Sequence, residues 1–167
     1  LNYSTFTPEY LNWEKSVSDE WQLKVGIASI NNKSIKEQTK LLVKLAEDYK
    51  LGVFNIPWEG PQIDRSYPQT SLKISSWLLR VVLPPKQVSS LINSYQLSKM
   101  NSWEWRIAAG IGTGDGWKVF SKDESTIQDI ECVKELRQKI IAMGGSLTIL
   151  SKPAEAISKG SLLLSVS

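Results

Sequence analysis

Apolar and polar positions alternate from Trp21 to Ile30 as Trp-x-Leu-x-Val-x-Ile-x-x-Ile, which predicts a half-buried strand. Asn31 and Asn32 end it. The period then changes to that of a helix: Ile35, Leu42, Leu45, Ala46 and Tyr49 share one face, while Lys36, Lys40, Lys44 and Lys50 lie elsewhere. Ser34 with Glu37 reads as a capping box at the start of this helix, and Gly52 is placed to stop it. A short strand is expected from Val53 to Ile56.

Residues 57–71 hold three prolines and a glycine and read as a loop. The run Leu72 to Leu83 is apolar and β-branched, a strand that Pro84-Pro85 ends. Those prolines also open a helix with Val88, Leu91, Ile92 and Tyr95 on its apolar stripe. A strand over Trp103 to Ile111 and a hairpin partner over Trp117 to Phe120 follow. Ser125 is placed to cap the last helix, which buries Ile130, Val133, Leu136, Ile140 and Met143 and stops at Gly144-Gly145. Ser146 to Leu150 is the closing strand, with a weaker fragment near Leu162.

From Leu72 the order is strand, helix, strand, strand, helix, strand. That is an α+β, ferredoxin-like split βαβ: an antiparallel sheet with helices on one face, preceded by an additional strand-helix-strand unit. The expected organisation is a poorly defined segment over 1–20, one domain over 21–152, and a weakly structured tail over 153–167.

Composition narrows the chemistry. A chain of 167 residues fits one domain with its own core, and seven Trp supply large surfaces for it. There is no histidine, which removes the usual general base, the usual metal ligand and any Ser-His or Cys-His pair from this chain; no metal site is expected. One cysteine allows no intrachain disulfide framework, and a reduced, cytoplasmic setting fits. A net charge of +3, from 20 basic and 17 acidic residues, gives no argument for a nucleic-acid partner. No apolar run approaches the roughly 20 residues that span a bilayer, so no transmembrane segment is expected. No signal peptide is visible, and a start at Leu1 suggests a segment of something longer.

Between Gly110 and Gly116 a glycine stands at every second position. A phosphate cradle needs such glycines to open a helix, whereas here they run into Trp117-Lys118-Val119-Phe120, which is strand-like. An RNA platform needs a basic residue where Asp115 stands. The plainest reading is a hairpin with Asp115-Gly116 as a type I′ turn, leaving Gly110, Gly112 and Gly114 along one strand face. Bare backbone there suggests that something approaches closely, either a ligand or a ring of the same domain.

Three stretches, Trp-Leu-Leu-Arg-Val-Val-Leu-Pro-Pro (Trp77 to Pro85), Ala-Gly-Ile-Gly-Thr-Gly (Ala109 to Gly114) and Gly-Gly-Ser-Leu-Thr-Ile-Leu (Gly144 to Leu150), carry a resemblance. In order and spacing, residues 21–152 resemble the C-terminal, cap region of FAD-linked oxidases of the vanillyl-alcohol-oxidase type. Within these they are most similar to the smaller FAD-binding subunit of glycolate oxidase. The resemblance implies a cap whose sheet covers the flavin and helps form the pocket for a small 2-hydroxy acid, such as glycolate or lactate, oxidised by hydride transfer to FAD. It implies that Gly110, Gly112 and Gly114 face the cofactor. No glycine-rich anion loop precedes the cap here, so the FAD-binding domain or subunit is expected as a partner, and the segment alone is expected to be inactive. The other reading is a non-enzymatic ferredoxin-like module that binds a ligand or protein.

Arg80 is the candidate substrate-binding residue. It interrupts an apolar strand, and a guanidinium there is able to grip a carboxylate through two parallel hydrogen bonds; an exposed Arg on the polar face of a strand fits the same alternation. Arg106 is the second cation and reads as a solvated side chain. Cys132 reads as packing at the edge of a helix stripe. Glu47 and Asp48 are adjacent on a helix, point apart and make no acid/base pair.

Overall fold

The computed structural model describes residues 10–16, 20–27, 29, 31–53, 76–119, 126–154 and 156. Among these are six strands: β1 (Tyr10–Lys15), β2 (Gln22–Gly26), β3 (Ser76–Val82), β4 (Glu104–Ala108), β5 (Thr113–Val119) and β6 (Ser146–Ser151). The helices are α1 (Asn32–Asp48), α2 (Val88–Ile92), α3 (Tyr95–Ser98) and α4 (Thr126–Ala142), with a 3-10 turn over Pro85–Gln87. The strands form one sheet in the order β2-β1-β4-β5-β3-β6, with every adjacent pair antiparallel. Read from β6, the strands from β3 onward stand fourth, first, third, second, which is the ferredoxin-like arrangement expected from the element order.

The β1–β2 hairpin extends this sheet beyond β4, with Trp13 opposite Ile107 and Glu14 opposite Arg106. Residues 10–15, Tyr-Leu-Asn-Trp-Glu-Lys, carry little alternation, and the strand follows from the free edge that β4 offers rather than from the segment's own pattern. The expected loop over 57–71, the strand over Val53 to Ile56 apart from Val53, the cap at Ser125 and the fragment near Leu162 lie outside the described residues.

One face of the sheet carries the core. Alternation places Trp77, Leu79 and Val81 of β3, Trp105 and Ile107 of β4 and Leu147 of β6 on it, all buried against Val88, Leu91, Leu97, Val133, Leu136 and Ile140 of the helices. Each buried aliphatic or aromatic side chain contributes about 1.5–3 kcal/mol. Trp77, Trp103 and Trp105 form a run of rings with centroids 5.9 and 6.2 Å apart. On the opposite face Ser76 and Leu78 of β3 are buried as well, while Arg80 is exposed.

Local chemistry shifts several boundaries. α1 starts at an Asn31 cap, whose side chain accepts from the Lys33 N–H at 2.9 Å, so the Ser34–Glu37 capping box is not used. It stops at Lys50, which takes the left-handed position (φ 56°) that a glycine fills at most helix ends, two residues before Gly52. None of its residues is buried: Leu45 and Tyr49 of the apolar stripe are exposed, and so is Leu41 beside it. The single helix expected after Pro85 is broken at Asn93-Ser94, where Ser94 caps α3 by accepting from the Leu97 N–H, and Tyr95 of the expected stripe is exposed. α4 buries Ile130, Val133, Leu136 and Ile140 as its period requires. It ends at Gly144 (φ 78°).

Candidate functional site

The glycine stretch is built differently from the hairpin expected. The chain turns over residues 109–112, and Asp115 and Gly116 sit inside β5 rather than in a turn. Gly112 (φ 78°) makes the turn, and a Cβ on it would collide with the Leu83 carbonyl, whose own N–H donates to the Gly112 carbonyl at 2.8 Å. In β5, Gly114 and Gly116 face the core. A Cβ on Gly114 would lie 2.7 Å from Ile107 Cγ1, and one on Gly116 would lie 2.5 Å from Trp105 Cη2. Gly110, in the turn, has nothing within 4 Å of its Cβ position. Gly110, Gly112 and Gly114 therefore do not line one strand face, because the turn falls between them. The close approach is made by Trp105 and Ile107 of the neighbouring strand.

The face of the sheet opposite the core gathers the charge. Arg80 on β3 stands directly opposite Asp115 on β5, and Asp115 stands directly opposite Arg106 on β4. Opposed side chains on antiparallel strands start about 5 Å apart at Cβ, so Asp115 is flanked by both guanidiniums. Arg80 donates through Nε to Asp115 Oδ1 at 2.9 Å and through Nη2 to Oδ2 at 3.4 Å. On β1, Glu14 meets Arg106 Nε at 3.1 Å and Lys24 Nζ, from β2, at 2.6 Å. The result is a row across five strands: Lys24, Glu14, Arg106, Asp115, Arg80. It alternates in sign and carries one net positive charge.

The row is graded in exposure. Arg80 is 50% exposed, Arg106 22% and Asp115 14%. A depression of about 310 Å³ opens over Arg80, Arg106 and Asp115 and is bordered by Asn12, Ala108 and the main chain at Gly114. Burial pushes the Asp115 carboxyl above its ordinary value, even with the Arg80 guanidinium 2.9 Å away. Arg80 thus lies on the polar face, as alternation predicts, but is held by an internal carboxylate. Arg106 is not a solvated side chain: it is half-buried and paired. Glu14 and Asp115 complete the row and were not legible as site residues, since their partners lie on other strands. The only sequence signal for Asp115 is the alternation Glu104-x-Arg106-x-Ala108 and Thr113-x-Asp115-x-Trp117, readable once the turn is placed at 109–112.

A second depression, of about 240 Å³, lies on the helix side among Lys99, Trp103, Lys118, Asp129 and Cys132. Lys118 points from β5 into this side and donates to both carboxylate oxygens of Asp129 at 2.9 and 3.1 Å, with 7% and 8% of the two side chains exposed. Asp129, in the first turn of α4, also meets the positive end of the helix dipole there. Cys132 lies half-buried at the edge of the core cluster, and burial, followed by the Glu135 charge, pushes its thiol up.

No group of three His, Cys, Asp or Glu side chains able to hold a metal occurs among the described residues. No described helix is long and apolar enough to cross a membrane. Compared with known proteins, the chain matches no family model and no curated sequence.

Proposed function

We propose that this domain is the substrate-side cap of an FAD-dependent oxidoreductase acting on a small 2-hydroxy acid of the glycolate or lactate type, with the FAD held by a domain or subunit outside this chain. The observation that carries the reading is the placement of Arg80, half-exposed on the face of a ferredoxin-like sheet opposite the core, beside Arg106 and above a depression sized for a small acid. A planar guanidinium binds a carboxylate through two parallel hydrogen bonds, and on a strand it is held more rigidly than on a loop. Hydride transfer itself is the chemistry that a bound flavin supplies. This chain's residues bind and orient the acid and shield it from water.

Expression of the domain joined to, or alongside, an upstream FAD domain tests the proposal. The expected result is a purified assembly with the isoalloxazine absorption band, bleached on addition of a 2-hydroxy acid. An assembly that stays colourless with added FAD overturns it.

A second reading, a non-enzymatic module that binds a ligand or a protein, draws on α1. Its Leu41, Leu45 and Tyr49 are exposed, and no α1 residue belongs to the core cluster. That reading expects the colourless result.

A further inference from the structure

We propose that the ridge Leu41–Leu45–Tyr49 of α1 docks a second copy of this chain. The two helices run antiparallel, with Lys44 of each copy facing the partner's Asp48. None of these residues carries the flavin reading, and the contact stands apart from it.

α1 is 17 residues long, and none of its residues is buried. A helix in a protein gains most of its stability by burying its apolar side against something. Leu41, Leu45 and Tyr49 stand four residues apart and so form one ridge along the helix, the unit by which helices pack. They are 59%, 45% and 71% exposed. Ile35, Leu42 and Ala46, on the adjoining side, are half-buried, so the ridge is the part of the apolar surface that the chain itself leaves to solvent. Leu51 and Val53, just past the helix end, are exposed too and continue it. Exposed apolar side chains scattered singly need no explanation, whereas a contiguous run of them marks a contact surface.

The charges beside the ridge select the occupant. With 3.6 residues per turn, Lys44 and Asp48 both project beside Leu41 and Leu45, on the side away from Ile35. Neither makes an ion pair with a described residue. A helix that lies on an anionic membrane presents a basic polar face. In α1 the acids Glu37, Glu47 and Asp48 stand among Lys33, Lys36, Lys40 and Lys44, and Asp48 is next to the ridge itself. A protein surface of one sign would attract one of Lys44 and Asp48 and repel the other. A second copy satisfies both. A two-fold axis at Leu45 sets Leu41 against the partner's Tyr49 and Leu45 against the partner's Leu45. The same axis brings Lys44 to the partner's Asp48 and Asp48 to the partner's Lys44. Each contact is made twice, and the assembly closes as a dimer.

Sedimentation equilibrium of the full chain over a range of concentrations tests the contact. The wild-type chain is expected to show a monomer–dimer equilibrium. Leu45→Glu, which sets two carboxylates at the axis, should leave a monomer with wild-type far-UV circular dichroism. Lys44→Asp and Asp48→Lys should each weaken the dimer about tenfold, because two attractions become two repulsions. Mixed in equal amounts, those two variants should pair with each other, since one copy brings two carboxylates and the other two ammoniums. Loosening of α1 would not give that result. A wild-type chain that stays monomeric up to the concentration of an NMR sample overturns the inference. So does a dimer that survives Leu45→Glu, or a mixture that associates no better than either variant alone. A monomeric chain that co-sediments with phosphatidylserine vesicles, but not with phosphatidylcholine ones, would overturn it and give the ridge to a membrane.

Discussion

The Trp105 ring lies flat across Gly116 of the neighbouring strand, so close that a methyl group on that glycine would stand 2.5 Å from Cη2. The indole is buried and stacks on Trp103, whose ring in turn meets Trp77 at a tilt of 42°. A glycine weakens a strand by its own entropy, and covering it with a cross-strand aromatic ring recovers packing that the missing side chain would have supplied.

Gly116→Ala should therefore cost about 1–3 kcal/mol, because Trp105 is buried and packed against Trp103 and has no free direction in which to yield. Gly110→Ala, at an open turn position, should change stability by less than about 0.5 kcal/mol. Urea melts of the two variants check the contrast. In a Trp105→Leu background the penalty at Gly116 should shrink, and equal penalties in both backgrounds would contradict the packing account.

Lys118→Met alone should destabilise the domain by about 3–5 kcal/mol, since it leaves the Asp129 carboxylate buried beside an apolar side chain. The double variant Lys118→Met with Asp129→Leu should recover most of that loss. Removing both charges removes their desolvation cost as well as their attraction. A double variant no more stable than Lys118→Met would show that the pair tethers β5 to α4 by more than charge.

In the flavoenzyme assembly proposed above, Arg80→Lys should raise KM several-fold with a smaller effect on kcat. A point charge replaces a planar fork that now meets both Asp115 oxygens. Steady-state kinetics with glycolate or lactate measure it, and unchanged KM and kcat would remove Arg80 from the substrate site.

Cys132 carries a pH dependence with a definite sign. Burial, and after it the Glu135 charge, raise the thiol above its usual value of 9.0. Its thiolate fraction at pH 8 is thus smaller than that of an open cysteine, and alkylation by iodoacetamide should be slow there, with an inflection above pH 9. Because the folded value exceeds the unfolded one, the neutral thiol's stabilisation is fully present below the unfolded value and is lost as pH rises through the folded one. Glu135→Gln should move the inflection down. An inflection at or below 9 in the wild type would contradict the placement.

Much of this architecture follows from local rules. The strand over Ser76–Val82, the stop at Pro84, the period of α4 and its Gly144 end are each written in contiguous residues, and together they fix the ferredoxin-like order. The turn at 109–112 is less legible. Glycines at every second position allow turns at several places, and the register is chosen by Trp105 and Ile107, which need bare backbone opposite them at Gly116 and Gly114.

The sequence by itself determined the α+β class, the strand and helix order, and the side of its strand on which Arg80 stands. Those depend on alternation, helical period and chain breakers, which act over a few residues. Tertiary structure alone decided that Arg80 meets Asp115, that Arg106 is held by Glu14 rather than solvated, and that Lys118 is buried on Asp129. Such pairs join different strands and helices, and a shift of one residue in register would place each of their side chains on the other face of the sheet.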